Sequence, residues 1–203
     1  MSESLIPLAL GNEWVYQAHY YSENYPEWNV TDTNVVMVLD SVDVTIKNKA
    51  VTAYSMQGFY DIPPLGHGAH WLLADEPEGL YLIGGLADDT LIQNKTLLIK
   101  YPYYASSKWS DSALFYNYGI YGSVFFTQGI TETACISTNA KVSTSAGDFT
   151  CVVFKFSRDT VIDAGSEVEF YDYYAVGVGL VRRELKDDGF LTIQSDLISY
   201  DLQ

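Results

Sequence analysis

Tyr173-Tyr174-Ala175-Val176-Gly177-Val178-Gly179-Leu180-Val181-Arg182-Arg183-Glu184 sets two glycines one residue apart inside a run of β-branched and aromatic residues. Two structures compete for this stretch: a phosphate-binding loop that opens a helix, or a strand that must bend. A dinucleotide fingerprint needs a third glycine where Arg182 stands and a helix beyond it. Instead the chain continues through Leu185 to Asp188-Gly189, a hairpin signal between alternating hydrophobics. The stretch therefore reads as one long strand, with Gly177 and Gly179 removing side chains where the sheet curves or something packs closely on it.

The rest of the chain repeats that pattern. Leu10 to Ser22 alternates with a period near two and places Trp14, Tyr16 and Ala18 on one side. Val35 to Tyr60 is dominated by β-branched residues, with Lys47-Asn48-Lys49 as a natural hairpin tip. Asp61 to Gly68 holds a proline pair and two glycines and reads as a loop, and Asp75 to Gly79 reads as a polar turn between short strands. Ser106 to Tyr121 places Trp109, Ala113 and Tyr116 at a spacing of three to four, which admits a helical turn. Beyond Thr127, strands are expected at Ile130–Thr138, Lys141–Thr144, Phe149–Ser157 and Phe190–Leu202, with Ser145–Asp148 as a turn. Strands without intervening helices pair antiparallel, and about ten of them must curl or close to protect their edges. The expected architecture is mainly β, a single domain over residues 1–203 built on one curved antiparallel sheet with little helix.

Composition narrows the function. The 203 residues are 48% hydrophobic and 15% aromatic, with 17 Tyr and 4 Trp, too apolar for a disordered chain and too evenly spread for a membrane span. A net charge of −15, from 26 acidic against 11 basic residues, repels phosphate backbones and argues against a nucleic-acid partner. The first ten residues lack a basic region and a long apolar region, so read literally the chain is cytoplasmic from Met1, although a mature exported domain beginning at a bare Met reads the same. Cys135 and Cys151 enclose about fifteen residues, for which a disulfide contributes about 3 kcal/mol. Their spacing fits no zinc or redox motif. An oxidising compartment favours the bridge and the cytosol two buried thiols.

Several stretches, taken in order, resemble an uncharacterised group of bacterial exported domains, many of them lipoproteins. They are Pro7 to Tyr16 (PLALGNEWVY), Gly79 to Gly84 (GLYLIG), Leu97 to Pro102 (LLIKYP) ahead of Lys108-Trp109, Ser145 to Phe154 (SAGDFTCVVF), and Tyr173 to Glu184. This chain departs from the group where Val176 replaces the usual proline and where Tyr103–Ser107 replaces a shorter, glycine-bearing linker. The resemblance implies a half-barrel similar to the lipoprotein-localisation factors, whose concave side can take acyl chains. It also implies an extracytoplasmic location, periplasmic or at the cell surface, leaves a lipid anchor in the precursor open, and so favours the Cys135–Cys151 bridge.

Sites for chemistry are sparse. His67 and His70, with Asp61 and Asp75 nearby, present two imidazoles and carboxylates of the kind that hold a catalytic zinc, but in a Gly- and Pro-rich loop and without the HExxH helix. Two solvated imidazoles are the expectation, and no metal or other cofactor is assigned. A GxSxG elbow is absent, and Asp88-Asp89 and Asp187-Asp188 fall in turns that favour Asp for its backbone bonds. The aromatic excess is the most informative feature: Trp14, Tyr16, Trp28, Trp71, Trp109, Tyr173 and Tyr174 fill a core or line a surface. If a concave face is left uncovered, Trp14, Tyr16 and Tyr174 are the residues expected to line it. Three readings follow: a non-enzymatic module holding an apolar ligand or acyl chain in its concave face, a protein- or glycan-interaction module of the cell envelope with external aromatics, and a metal-dependent hydrolase using His67 and His70.

Overall fold

The computed structural model describes residues 4–23, 25–46, 48–58, 70–87, 90–118, 124–159 and 168–203. Twelve strands account for most of them: β1 (Glu13–Tyr20), β2 (Val30–Ile46), β3 (Lys49–Gln57), β4 (His70–Glu76), β5 (Gly79–Ala87), β6 (Thr90–Lys100), β7 (Lys108–Tyr118), β8 (Val124–Thr144), β9 (Gly147–Asp159), β10 (Val168–Ala175), β11 (Gly179–Asp187) and β12 (Phe190–Asp201). A single 3₁₀ turn, Pro26–Trp28, is the helical element among them, and among the described residues no helix is long and apolar enough to cross a membrane.

All twelve strands form one antiparallel sheet in the order β6-β5-β4-β3-β2-β1-β12-β11-β10-β9-β8-β7. Two meandering arms thus grow outward from the central β1–β12 pair, and the sheet curls until its edge strands face each other. Among the described residues β6 and β7 share no backbone ladder. Instead the Thr96 hydroxyl donates to Ser112 O at 2.9 Å and the Leu97 amide donates to an Asp111 carboxylate oxygen at 2.7 Å. The result is a nearly closed barrel whose edges are bridged by side chains, one way of blunting an exposed edge.

Curvature comes from register shifts within long strands. β2 carries one between Val38 and Asp40, and β8 carries two, between Cys135 and Ser137 and between Ser137 and Ala140. The expected pieces Ile130–Thr138 and Lys141–Thr144 are therefore one strand bent twice. The helical turn admitted at Ser106–Tyr121 is β7, paired with β8 from Lys108 to Tyr118. Pairing with β8 satisfies one edge of that backbone, and tertiary pairing overrides the weak helical spacing.

Tyr173–Glu184 also departs from its expectation. It is a hairpin and not one bent strand: β10 ends at Ala175, Val176–Val178 turn, and β11 begins at Gly179, opposite Ala175. Gly177 supplies the left-handed φ of 73° that the turn requires. Gly179 answers to a neighbour, since a Cβ there would stand 3.2 Å from the Trp14 indole nitrogen.

The interior is an aromatic and aliphatic core drawn from both arms and from the segment before β1. Phe154 sits at its centre, its ring edge-on to Tyr103 (5.5 Å between centroids), Trp109 (5.9 Å) and Tyr174 (6.1 Å), the arrangement that ring quadrupoles favour. Leu5 and Ile6, which belong to no strand, are fully buried in the same core.

Candidate functional site

The residues expected to line an open hollow lie inside this core. Trp14, Tyr16 and Tyr174 are 1%, 5% and 2% exposed, and their polar atoms are satisfied from within. The Trp14 indole donates to Val178 O at 2.6 Å, the Tyr16 hydroxyl donates to Leu180 O at 2.8 Å, and the Tyr174 hydroxyl donates to Asp172 at 3.1 Å. Alternation along β1 puts Trp14 and Tyr16 on the inner face, as their spacing required. Around them the space is filled by side chains of the chain itself.

Next to Tyr174 and Tyr16 sits a buried ion pair that the sequence alone did not single out. Asp172 and Arg183 face each other in the β10–β11 register. The guanidinium donates from both Nε and Nη2, each at 2.7 Å, to the two carboxylate oxygens. Such a fork-to-fork pair places two charges in the core with their bonds satisfied. Burial is the main cause that pushes the Tyr16 phenol far up; Arg183 pulls against it and the Asp172 charge adds to it, so the phenol stays a neutral donor.

Cys135 and Cys151 are both buried and both free. Cys135 lies opposite Phe154 and Cys151 opposite Ala140, so the two thiols stand offset from each other along the β8–β9 ladder and are not bridged. Burial raises both thiols, that of Cys151 to about 11. A thiol reagent at about pH 8, just below the ordinary thiol range, is therefore expected to leave the native protein unlabelled and to modify both cysteines after denaturation in urea. Labelling of the folded protein, or none after unfolding, would contradict this assignment.

His67, Asp61, Asp88 and Asp89 and the side chain of Trp28 lie outside the described residues. His70 opens β4, opposite Gln57 and Leu86, and no group of three His, Cys, Asp or Glu side chains poised to hold a metal occurs among the described residues. Asp188 has the positive φ of a turn residue, 45°.

The outer face of the barrel carries the remaining candidate, and it differs between the two arms. Across β9–β12 it is a polar ladder, with ion pairs Lys155–Glu169 and Arg182–Asp196 and a Tyr171–Glu169 hydrogen bond. Across β2–β5 it combines a Lys49–Glu76–Lys95 ion-pair group with an apolar cluster. Leu73 faces the main core, so its neighbours Leu72 and Ala74 face outward, where they meet Val44, Val51, Ala53 and Ile83 in a second apolar cluster. Beside that cluster, Asp40, Ser55 and Leu72 are cross-strand neighbours on β2, β3 and β4. They form a row in a pocket of about 390 Å³, completed by Leu39, Ser41, Val42 and His70. The bulge between Val38 and Asp40 inserts Leu39 into this face. Leu39 and Val42 stay 40% and 41% exposed. Single-sequence reasoning missed the site because Val42, Ala53 and Leu72 read as ordinary strand residues, and only a double-sided apolar pattern in β4, Trp71-Leu72-Leu73-Ala74, hinted that both faces there are buried.

No protein-family model matches the chain, and no curated protein matches it in sequence. Solved structures to which it is similar include a candidate lipoprotein from Parabacteroides distasonis, at 15% identity and a TM-score of 0.49 over 98% of this chain and 99% of that one. Another is a candidate exported protein with a YmcC-like fold from Bacteroides fragilis, at 11% identity and a TM-score of 0.48 over 98% of this chain and 100% of that one.

Proposed function

We propose that this protein is a non-catalytic, extracytoplasmic binding module that holds an apolar ligand of the acyl-chain class, and that it does so on the outer face of β2–β4. One observation carries the reading: the pocket of about 390 Å³ whose Leu39, Val42 and Leu72 walls adjoin an apolar cluster on a face that an antiparallel barrel ordinarily leaves polar. Its volume falls at the small end of the range for ligand pockets, about 300–1,000 Å³, and suits a slender chain better than a ring system. Asp40, Ser41, Ser55 and His70 supply the few polar groups that would orient a headgroup. The extracytoplasmic placement rests on the sequence resemblance to exported domains, and the packed interior around Trp14, Tyr16 and Tyr174 supports moving the ligand from the hollow to the outside.

The paired variant Leu39→Asp and Val42→Asp tests this. Both side chains are partly exposed on the sheet surface, so the substitutions should cost roughly 1 kcal/mol or less each. The wild-type protein is expected to take up Nile red, a neutral apolar dye, with saturable fluorescence enhancement, and the variant to lose at least about tenfold in affinity while melting within a few degrees of wild type. Equal dye binding by a folded variant would remove the site from β2–β4.

A further inference from the structure

The segment Ser4–Leu8 lies outside the sheet yet contributes two of its most deeply buried side chains, Leu5 and Ile6. The chain bends at Leu5 and Ile6, and both side chains are buried in the core. The tethers of the segment are few. The Gly177 amide, in the β10–β11 turn, donates to Ser4 O at 3.1 Å. The Asn12 side chain, itself buried, donates to Pro7 O at 2.6 Å and accepts from the Gln203 amide at 2.7 Å. The Ser4 hydroxyl bonds back to Ile6 O within the segment. The Leu5 backbone lies beside the hydroxyl of Tyr101, just beyond β6, and the Tyr101 amide donates to Glu78 O in the β4–β5 turn. The segment therefore crosses the end of the barrel at which the β4–β5 and β10–β11 turns lie.

We infer that Ser4–Leu8 is an exchangeable strap, and that the cleft it fills is a recognition site for a short aliphatic peptide segment of a partner protein. The seated strap itself displays the chemistry the cleft accepts: two consecutive branched aliphatic side chains, a carbonyl offered to the Gly177 amide, and a proline where no amide is called for. Among the described residues, lifting it breaks no strand-to-strand bond, since its tethers run to the β10–β11 turn, to Asn12, to the Tyr101 hydroxyl and within itself. An empty apolar cleft is unfavourable, so the strap leaves in exchange for a like segment and not to leave a void. Strap and partner compete for one place, and the strap-bound form is the resting state. This site is separate from the β2–β4 pocket, and neither reading depends on the other.

The test uses the full chain carrying Leu5→Asp and Ile6→Asp, which expels the strap, and a synthetic peptide of residues 4–10, SLIPLAL. The variant is expected to melt below wild type and to be raised again by SLIPLAL but not by the control SDDPLAL, while wild type is shifted by neither. A folded variant indifferent to both peptides would overturn the inference. Should the variant fail to fold, hydrogen exchange on the wild type decides. A Gly177 amide exchanging at least about 100-fold faster than the β10–β11 ladder amides supports a separately opening strap, and one exchanging with the ladder overturns it. A concentration-dependent wild-type dimer absent from the Asp variant would support the cleft and identify a second copy as the segment's source.

Discussion

Replacing Arg183 by methionine is expected to lower stability by about 3–5 kcal/mol, because it strands the Asp172 carboxylate in the core without its two bonds. For a chain of this length that corresponds to a fall in melting temperature of roughly 6–20 °C. Asp172→Leu should cost a similar amount by stranding the guanidinium. The double variant Asp172→Leu/Arg183→Met is expected to recover most of the loss, since a buried ion pair contributes little net stability over apolar side chains of similar volume. Thermal melts of the three variants check the cycle. Additive losses in the double variant would mean that the two side chains act independently, against the geometry that joins Nε and Nη2 to both carboxylate oxygens.

The second large effect is expected at Gly179, and Gly177 provides its control. At Gly179 φ is +109°, and a Cβ would stand 3.2 Å from the Trp14 indole nitrogen, which donates to Val178 O. Gly179→Val therefore combines backbone strain of about 1–3 kcal/mol with loss of a buried hydrogen bond worth about 1–3 kcal/mol to leave unmade. It should also weaken the near-ultraviolet dichroism as Trp14 is displaced. Gly177 has a φ of +73°, and a Cβ there would meet nothing within 4 Å, so Gly177→Ala should cost only the left-handed penalty of roughly 1–2 kcal/mol and leave the tryptophan signal intact. If the two variants behave alike, Trp14 does not set the identity of residue 179.

Much of the fold was legible because period-two alternation has no competitor outside Ser106–Tyr121. Trp14, Tyr16 and Ala18 face inward together, the tip near Asn48 and the Asp188-Gly189 turn lie where turn chemistry puts them, and antiparallel pairing follows from the lack of helices. The errors have local causes. Val176-Gly177-Val178-Gly179 carries β-branched residues through a turn, so composition hid the hairpin. Ser106–Tyr121 mixes two periodicities, and only its pairing with β8 decides between them. Long-range relations were out of reach: the side-chain bridges between β6 and β7, the Asp172–Arg183 pair, the unbridged cysteines, and the strap across the barrel end all depend on which strands become neighbours. The candidate site was missed for the same reason, since Leu39 joins Val42 and Leu72 only through a bulge in β2 and the registers of two ladders.

The measurement that bears most directly on the binding site is a methyl-labelled NMR titration with dodecanol, a neutral apolar chain with a single hydroxyl. Saturable shifts confined to the methyl groups of Leu39, Val42 and Leu72 are the predicted result. Shifts at Val181 and Leu197, in the main core, with the β2–β4 methyls unmoved, would contradict it and return the ligand to the barrel interior.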